Sequence, residues 1–342
     1  MKNRHSAISR RALLPGLLPV LFITSSLFTA GKLSAQTVLA KTYHTEHAKL
    51  TESHDQDEPY MSRFFSIEDN LNLTVYTPNG SVEVAENSSL GGVQVDLYVK
   101  REFSFWRGAQ SLENYRIIIE RINNEVIATV ENKDTGSRVR AGDNNQFSFQ
   151  IQVPERGQIN VRTMNGPINI DGVKGKLYIQ NHVGDITVSD SDGELKVAST
   201  TGNLALNQCR GSIFAKSVTG DISAISSEGE LRLRSESGSL KASNTRGTLI
   251  AATVSGNIDS SFEKIKVGVS LETVNGNIDL ALPTGLGYTI SARGMNFDFS
   301  SIRSYASEEK SEMMSRYMMI RGGELPVKLS SVSGNVKVTE SE

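Results

Sequence analysis

The chain has 342 residues, with 36 basic and 38 acidic side chains, a formal net charge of −2, 38% hydrophobic residues and 22% charged ones. That composition excludes a disordered tail, and the length has room for two domains. A single cysteine, Cys209, excludes an internal disulfide, so packing must stabilise the fold.

Residues 1–35 carry Lys2, Arg4, Arg10, Arg11 and Lys32 with no acid, and an apolar run from Ala12 to Ala30 includes LLPGLLPVLFITSSLF. This has the form of an export signal. Pro15, Gly16 and Pro19 interrupt the run and favour a removed signal over a permanent membrane span. Cleavage fits after Ala35 or Ala40. SRRALL at Ser9 to Leu14 resembles a twin-arginine export motif, although paired arginines are also ordinary in such leaders.

The expected location is therefore the periplasm, the outer cell surface or the extracellular space, with no transmembrane segment in the mature chain. Without the five basic residues of the signal, 31 basic residues face 38 acidic ones. That net charge of about −7 disfavours nucleic acid as a partner. Residues 36–60 read as a flexible polar linker. Within it, His44, His47, His54, Asp55, Asp57 and Glu58 form a mixture able to hold a transition metal, but solvation of a polar linker explains them better.

Residues 61–160 are strand-rich without a period, in phrases such as LNLTVYTPNGSVEV, VQVDLYVK, YRIIIERINNEVIATV and NQFSFQIQVP, and read as an irregular N-terminal cap. Over 161–283 a repeat takes over. Gly166, Gly184, Gly202, Gly220, Gly238 and Gly256 recur every 18 residues, and Gly276 follows after 20. Gly175, Gly193, Gly211, Gly229 and Gly247 bisect the intervals, so the unit is nine residues.

The second residue after each glycine is branched and apolar, from Ile168 and Leu177 through to Ile278, and the fourth is apolar or small. A spacing of two marks one face of a strand, and a glycine turn then reverses the chain. The reading is an all-β, right-handed parallel β-solenoid with two strands and 18 residues per coil.

Residues 284–342 form a C-terminal insertion and a last coil, SVSGNVKV at Ser331 to Val338. Inside the insertion, Met313, Met314, Tyr317 and Met318 at helical spacing predict a short helix, with Ser307 as N-cap, Glu308 and Glu309 in its first turn and Gly322 at its end. Such a methionine-rich helix could be an adaptable binding face, but covering the open end of the stack is the better reading. Cys209 reads as a small, partly buried thiol rather than a crosslink between chains.

The phrases TMNGPINI, SVTGDISA, TVSGNIDS and TVNGNIDL, preceded by FQIQVP and followed by ALPTGLGYTISA, resemble a bacterial family of adhesin-like β-strand-repeat proteins. It is a domain of unknown function, DUF4097-like and similar to head-GIN adhesins. The similarity runs from about Phe64 to Val338. It implies an exported β-solenoid and carries over no catalytic residue.

Chemistry is sparse. Residues following the first-series glycines run Pro167, Asp185, Asn203, Asp221, Ser239, Asn257 and Asn277, too few carboxylates for calcium repeats and well suited to turns. Hydroxyl pairs such as Ser199 with Thr201, Ser217 with Thr219 and Thr253 with Ser255 suggest an ice-binding array, but the series is irregular.

A polysaccharide lyase or hydrolase on a parallel β-helix is the alternative function, and it needs carboxylates converging on one cleft. Here Asp259 and Asp279, or Glu194 and Glu230, are the nearest to such a pair, and His182 is the solenoid's one histidine. No cofactor is expected and no enzyme is read.

The outward positions of the second sheet run Tyr178, Lys196, Phe214, Arg232 and Ile250. Alternating aromatic and cationic side chains, with Tyr178 and Phe214 two coils or ~10 Å apart, make this the expected binding face, for a surface glycan or an envelope protein. The function read from the sequence is an exported, non-enzymatic solenoid with an adhesin-like binding or structural role in the cell envelope.

Overall fold

The computed structural model describes residues 58–67, 71–101, 103–104, 108–109, 111–134 and 145–341. All belong to one compact unit, Ser53–Glu342. The export signal, both cleavage points and the histidine-rich segment before Glu58 lie outside the described residues. Within them, strands and turns form the whole fold apart from three short 3-10 turns. The chain is all-β and solenoid-like.

Ten-residue strands, Lys174–Val183, Asp192–Thr201, Arg210–Thr219 and Glu228–Ser237, alternate with four-residue strands, Ile186–Ser189, Leu204–Asn207 and Ile222–Ile225. Each pairs in parallel with its equivalent in the next repeat. Leu177 lies beside Leu195, then Ile213, then Leu231 in the long ladder, and Ile186 beside Leu204, then Ile222 in the short one. All of these are buried. Removing such a side chain from water contributes roughly 1.5–3 kcal/mol, so stacked rungs supply most of the driving force.

One corner is made by glycine. Gly202 has φ +145° and Gly220 φ +146°, a backbone region that L side chains rarely adopt. Space forbids a side chain as well. A Cβ on Gly220 would lie 2.1 Å from the Gly202 carbonyl oxygen, and one on Gly202 would lie 1.9 Å from the Gly184 oxygen.

The other corner uses residues that the glycine pattern does not announce. Asp190, Gln208, Ser226 and Asn244 occupy equivalent places with φ between 48° and 55°, left-handed backbone that Asn and Asp tolerate best. The next residue in each repeat is buried: Ser191, Cys209, Ser227 and Thr245. Ser191 donates to the Ser189 carbonyl at 2.9 Å and Ser227 to the Ile225 carbonyl at 3.3 Å. Cys209 stands in this serine column, its Sγ 3.5 Å from the Asn207 carbonyl, and burial pushes its thiol up to about 11.

Two polar ladders hold the coils in register. Inside, Ser217, Ser235 and Thr253 donate to the carbonyls of Gly202, Gly220 and Gly238 at 3.1, 3.1 and 2.9 Å. These hydroxyls are buried, so Ser217 and Thr253, considered for an ice-binding array, belong to a structural ladder, while Thr219 and Ser255 of the same pairs are exposed. Outside, the residue after the corner glycine accepts the backbone N–H of its successor one coil on. Asp185 accepts from Asn203 at 2.7 Å, Asn203 from Asp221 at 2.9 Å and Asp221 from Ser239 at 2.7 Å. Each such bond contributes about 1 kcal/mol net.

The N-terminal region starts the stack. Leu71–Asn79 pairs in parallel with Arg156–Asn165, and Val82–Glu86 with Ile168–Asp171. Antiparallel strands then cover that end: Gly92–Lys100 pairs with Gln146–Val153 and with Met61–Ser66, and Tyr115–Ile122 pairs with Glu125–Asn132. Phe147 and Phe149 are fully buried there, and the Tyr115 and Phe147 ring centroids are 4.5 Å apart.

At the other end the expected helix is absent. Ala306–Glu312 and Ser315–Ile320 are strands of an antiparallel hairpin, and the second also pairs with Tyr288–Arg293. Met313 and Met314 form its turn, Met318 lies opposite Ile290, and Ser307, expected as an N-cap, donates across the hairpin to the Met319 carbonyl at 3.1 Å. The buried residues are Met318 and Ile320, two apart. The strand Tyr288–Arg293 presents an edge, and satisfying its backbone overrides the local helical spacing. After the hairpin, Asn335–Ser341 stacks on Ile278–Pro283.

Two outcomes are expected from this architecture. Gly220→Ala should lower stability by about 3 kcal/mol or more, measured by urea unfolding, because strain and a carbonyl clash coincide; a loss no larger than that of an exposed strand substitution would refute the corner argument. At pH 8 Cys209 should resist a thiol-specific reagent in the folded protein and react once unfolded in urea, while Cys209→Ser should change stability by only about 1 kcal/mol. Rapid labelling of the native chain would show that its coil opens.

Candidate binding face

The outward column is formed by the long ladder's register. Tyr178 pairs with Lys196, Lys196 with Phe214, Phe214 with Arg232 and Arg232 with Ile250. The five residues predicted from phase therefore stand on consecutive rungs of one face. Tyr178, Lys196 and Phe214 are half-buried against their neighbours, whereas Arg232 and Ile250 are exposed.

Lys196 Nζ sits 5.1 Å from the Tyr178 ring centroid and 2.5 Å from Glu194 Oε1. The hydrogen bond from Lys196 holds the Glu194 carboxyl below its ordinary range, and the same bond raises Lys196. Arg232 meets Glu230 at 2.5 Å in the same arrangement two coils on. Ring faces and paired charges thus alternate along the column. Such a surface suits a ligand with an apolar ring face and a polar edge.

The column then runs into a shallow depression that the sequence pattern did not locate. Ile250 pairs with Ser270, and Ser270 with Lys328. Between the partners Gly247/Ile265 and Leu249/Val269 the register shifts, and two extra residues bulge from the long strand Ile258–Asn275. This is where the 20-residue spacing from Gly256 to Gly276 is absorbed. The bulge leaves Val267 68% exposed beside Ile250 and Pro326, in a depression of about 220 Å³ that Thr248, Gly268 and Lys328 also line.

Of the carboxylates considered for catalysis, one pair is adjacent and the other is spread over two coils. Asp259 and Asp279 are partners on adjacent rungs, with Lys337 Nζ 3.9 Å from Asp279, and Glu194 and Glu230 are each tied to a cation on the same strand. His182 Nδ1 lies 3.2 Å from Thr200 Oγ1, at the next rung. The Asp and Asn residues considered for calcium are occupied as acceptors of backbone N–H groups.

No curated protein matches the chain. Two solved structures share similarity over most of its length. One is described as a "putative adhesin" from Bacteroides fragilis, 12% identical, covering 81% of this chain and 96% of that one with a TM-score of 0.38. The other is a "putative cell adhesion protein" from Clostridium sporogenes, 11% identical, covering 83% of this chain and 100% of that one with a TM-score of 0.21. The family model described as Toastrack DUF4097 matches residues 28–339. With nearly the whole chain covered, the protein belongs to the Toastrack DUF4097 family.

Proposed function

We propose that this protein is an exported, non-enzymatic binding solenoid of the cell envelope, whose coils wind right-handed with two strands and 18 residues each. Its recognition surface is the column Tyr178, Lys196, Phe214, Arg232 and Ile250, and its ligand is an extended glycan at a cell surface. The observation that carries this reading is the uninterrupted register that places those five side chains on successive rungs.

Parallel strands fix the rung spacing at ~4.8 Å, so the aromatic rings repeat at ~10 Å and present stacking faces to alternate sugar units of a straight chain. The depression around Val267 and Ile250 offers an apolar end to the same track. Catalysis is disfavoured because Glu194 and Glu230 are two coils apart and each held in an ion pair on its own strand, and because the adjacent pair Asp259 and Asp279 lies exposed with Lys337 beside Asp279.

The double variant Tyr178→Ser/Phe214→Ser tests the reading. Binding to whole cells and to an immobilised glycan panel should fall by roughly tenfold or more, as loss of two stacking contacts requires, while the thermal melt shows an intact fold. Unchanged binding with the fold intact would remove this face from consideration.

A further inference from the structure

A second surface lies farther toward the hairpin end of the long ladder. Val254, Val274, Val332 and Met295 are 36%, 40%, 60% and 59% exposed. The three valines lie on neighbouring rungs, since Thr253 pairs with Thr273, Glu272 with Ser330, and the Val332 N–H donates to the Thr273 carbonyl; Met295 follows at the corner, where its N–H donates to the Gly334 carbonyl. Met313, in the turn of the hairpin that pairs with Tyr288–Arg293, is 93% exposed. Three consecutive rungs of exposed apolar side chains, with two exposed methionines beyond them, are unusual on a surface that is otherwise mixed.

Two residues before Val274 and Val332 lies a second row, which continues to Arg293. Glu272 pairs with Ser330, and Ser330 with Arg293. Glu272 and Arg293 are both exposed, and neither has an ion-pair partner among the described residues. They stand two rungs apart, ~10 Å, too far to pair with each other. The sequence of charges along the row is negative, neutral, positive.

We infer that this patch is the interface of a homodimer, formed face to face about a two-fold axis running along the strand that carries Ser330 and Val332. Such an axis reverses the order of rungs and keeps each row on itself. Val332 then meets Val332 of the second copy, Val274 faces the end of the strand that carries Arg293, and Glu272 of each chain meets the Arg293 of the other. One operation covers the apolar row and pairs both free charges. A partner of another kind would have to bring the same alternation by coincidence, whereas a second copy brings it by symmetry.

Sedimentation of the full chain across micromolar concentrations tests the inference. The wild type should be a dimer, Val332→Lys a monomer, and Glu272→Arg a dimer weakened roughly tenfold, because two arginines then face each other. The reciprocal swap Glu272→Arg/Arg293→Glu should recover most of the loss, which a misfolded variant would not do. A monomeric wild type, a dimer indifferent to Val332→Lys, or a swap no tighter than Glu272→Arg alone would each overturn the proposal. A monomer that sediments with lipid vesicles would assign the patch to a membrane instead.

Discussion

The structure depends on the contact between one glycine and the glycine of the coil beneath it. At the corner, the Cα of Gly220 approaches the Gly202 carbonyl so closely that a Cβ would overlap it. That approach lets the long and short strands of successive coils stay in hydrogen-bonding reach through the bend. The same contact recurs at the end of the stack, where a Cβ on Gly334 would lie 1.9 Å from the Gly276 oxygen. The last coil follows a 40-residue insertion in sequence but none in space.

A tight corner exposes backbone groups that water reaches on one side only, and two columns of short polar side chains deal with them. Ser217, Ser235 and Thr253 turn inward to the glycine carbonyls, and Asp185, Asn203 and Asp221 receive the N–H groups that emerge outward. Each bond links one coil to the next, so register is a property of the stack rather than of any repeat. Cys209 is tolerated because its column asks for a small group that donates back two residues, which a thiol does weakly.

The inward phase was legible in the sequence because a strand's period of two is strict: Leu177, Ile186, Leu195 and Leu204 are all buried as the spacing requires. The outward column at Tyr178 and Phe214 followed from the same arithmetic. Three features were not legible. The left-handed corner at Asp190, Gln208, Ser226 and Asn244 has no common residue, since several polar side chains tolerate that backbone. The two inserted residues were visible as a 20-residue interval, but their place in the coil depends on which bulge leaves the core undisturbed. The hairpin at Ala306–Ile320 was misread because Met313, Met314, Tyr317 and Met318, three and four apart, satisfy a helical stripe, and only the adjoining strand edge decides otherwise.

The same constraints explain why the proposed recognition column lies on the long ladder. On the short ladder, four-residue strands leave one outward position between two buried ones, filled by Asn169, Thr187, Ala205, Ser223 and Lys241. The long strands leave several, and their outer rows can change without touching glycine, hydroxyl or apolar columns. The two-residue bulge at Lys266–Gly268 falls there, and so does the row from Val254 to Val332. A coil whose corners and core are fixed by stacking can vary only on its broad outer face, and a column on that face is a ruler: its side chains can be exchanged one by one, but their spacing is set by the hydrogen bonds beneath.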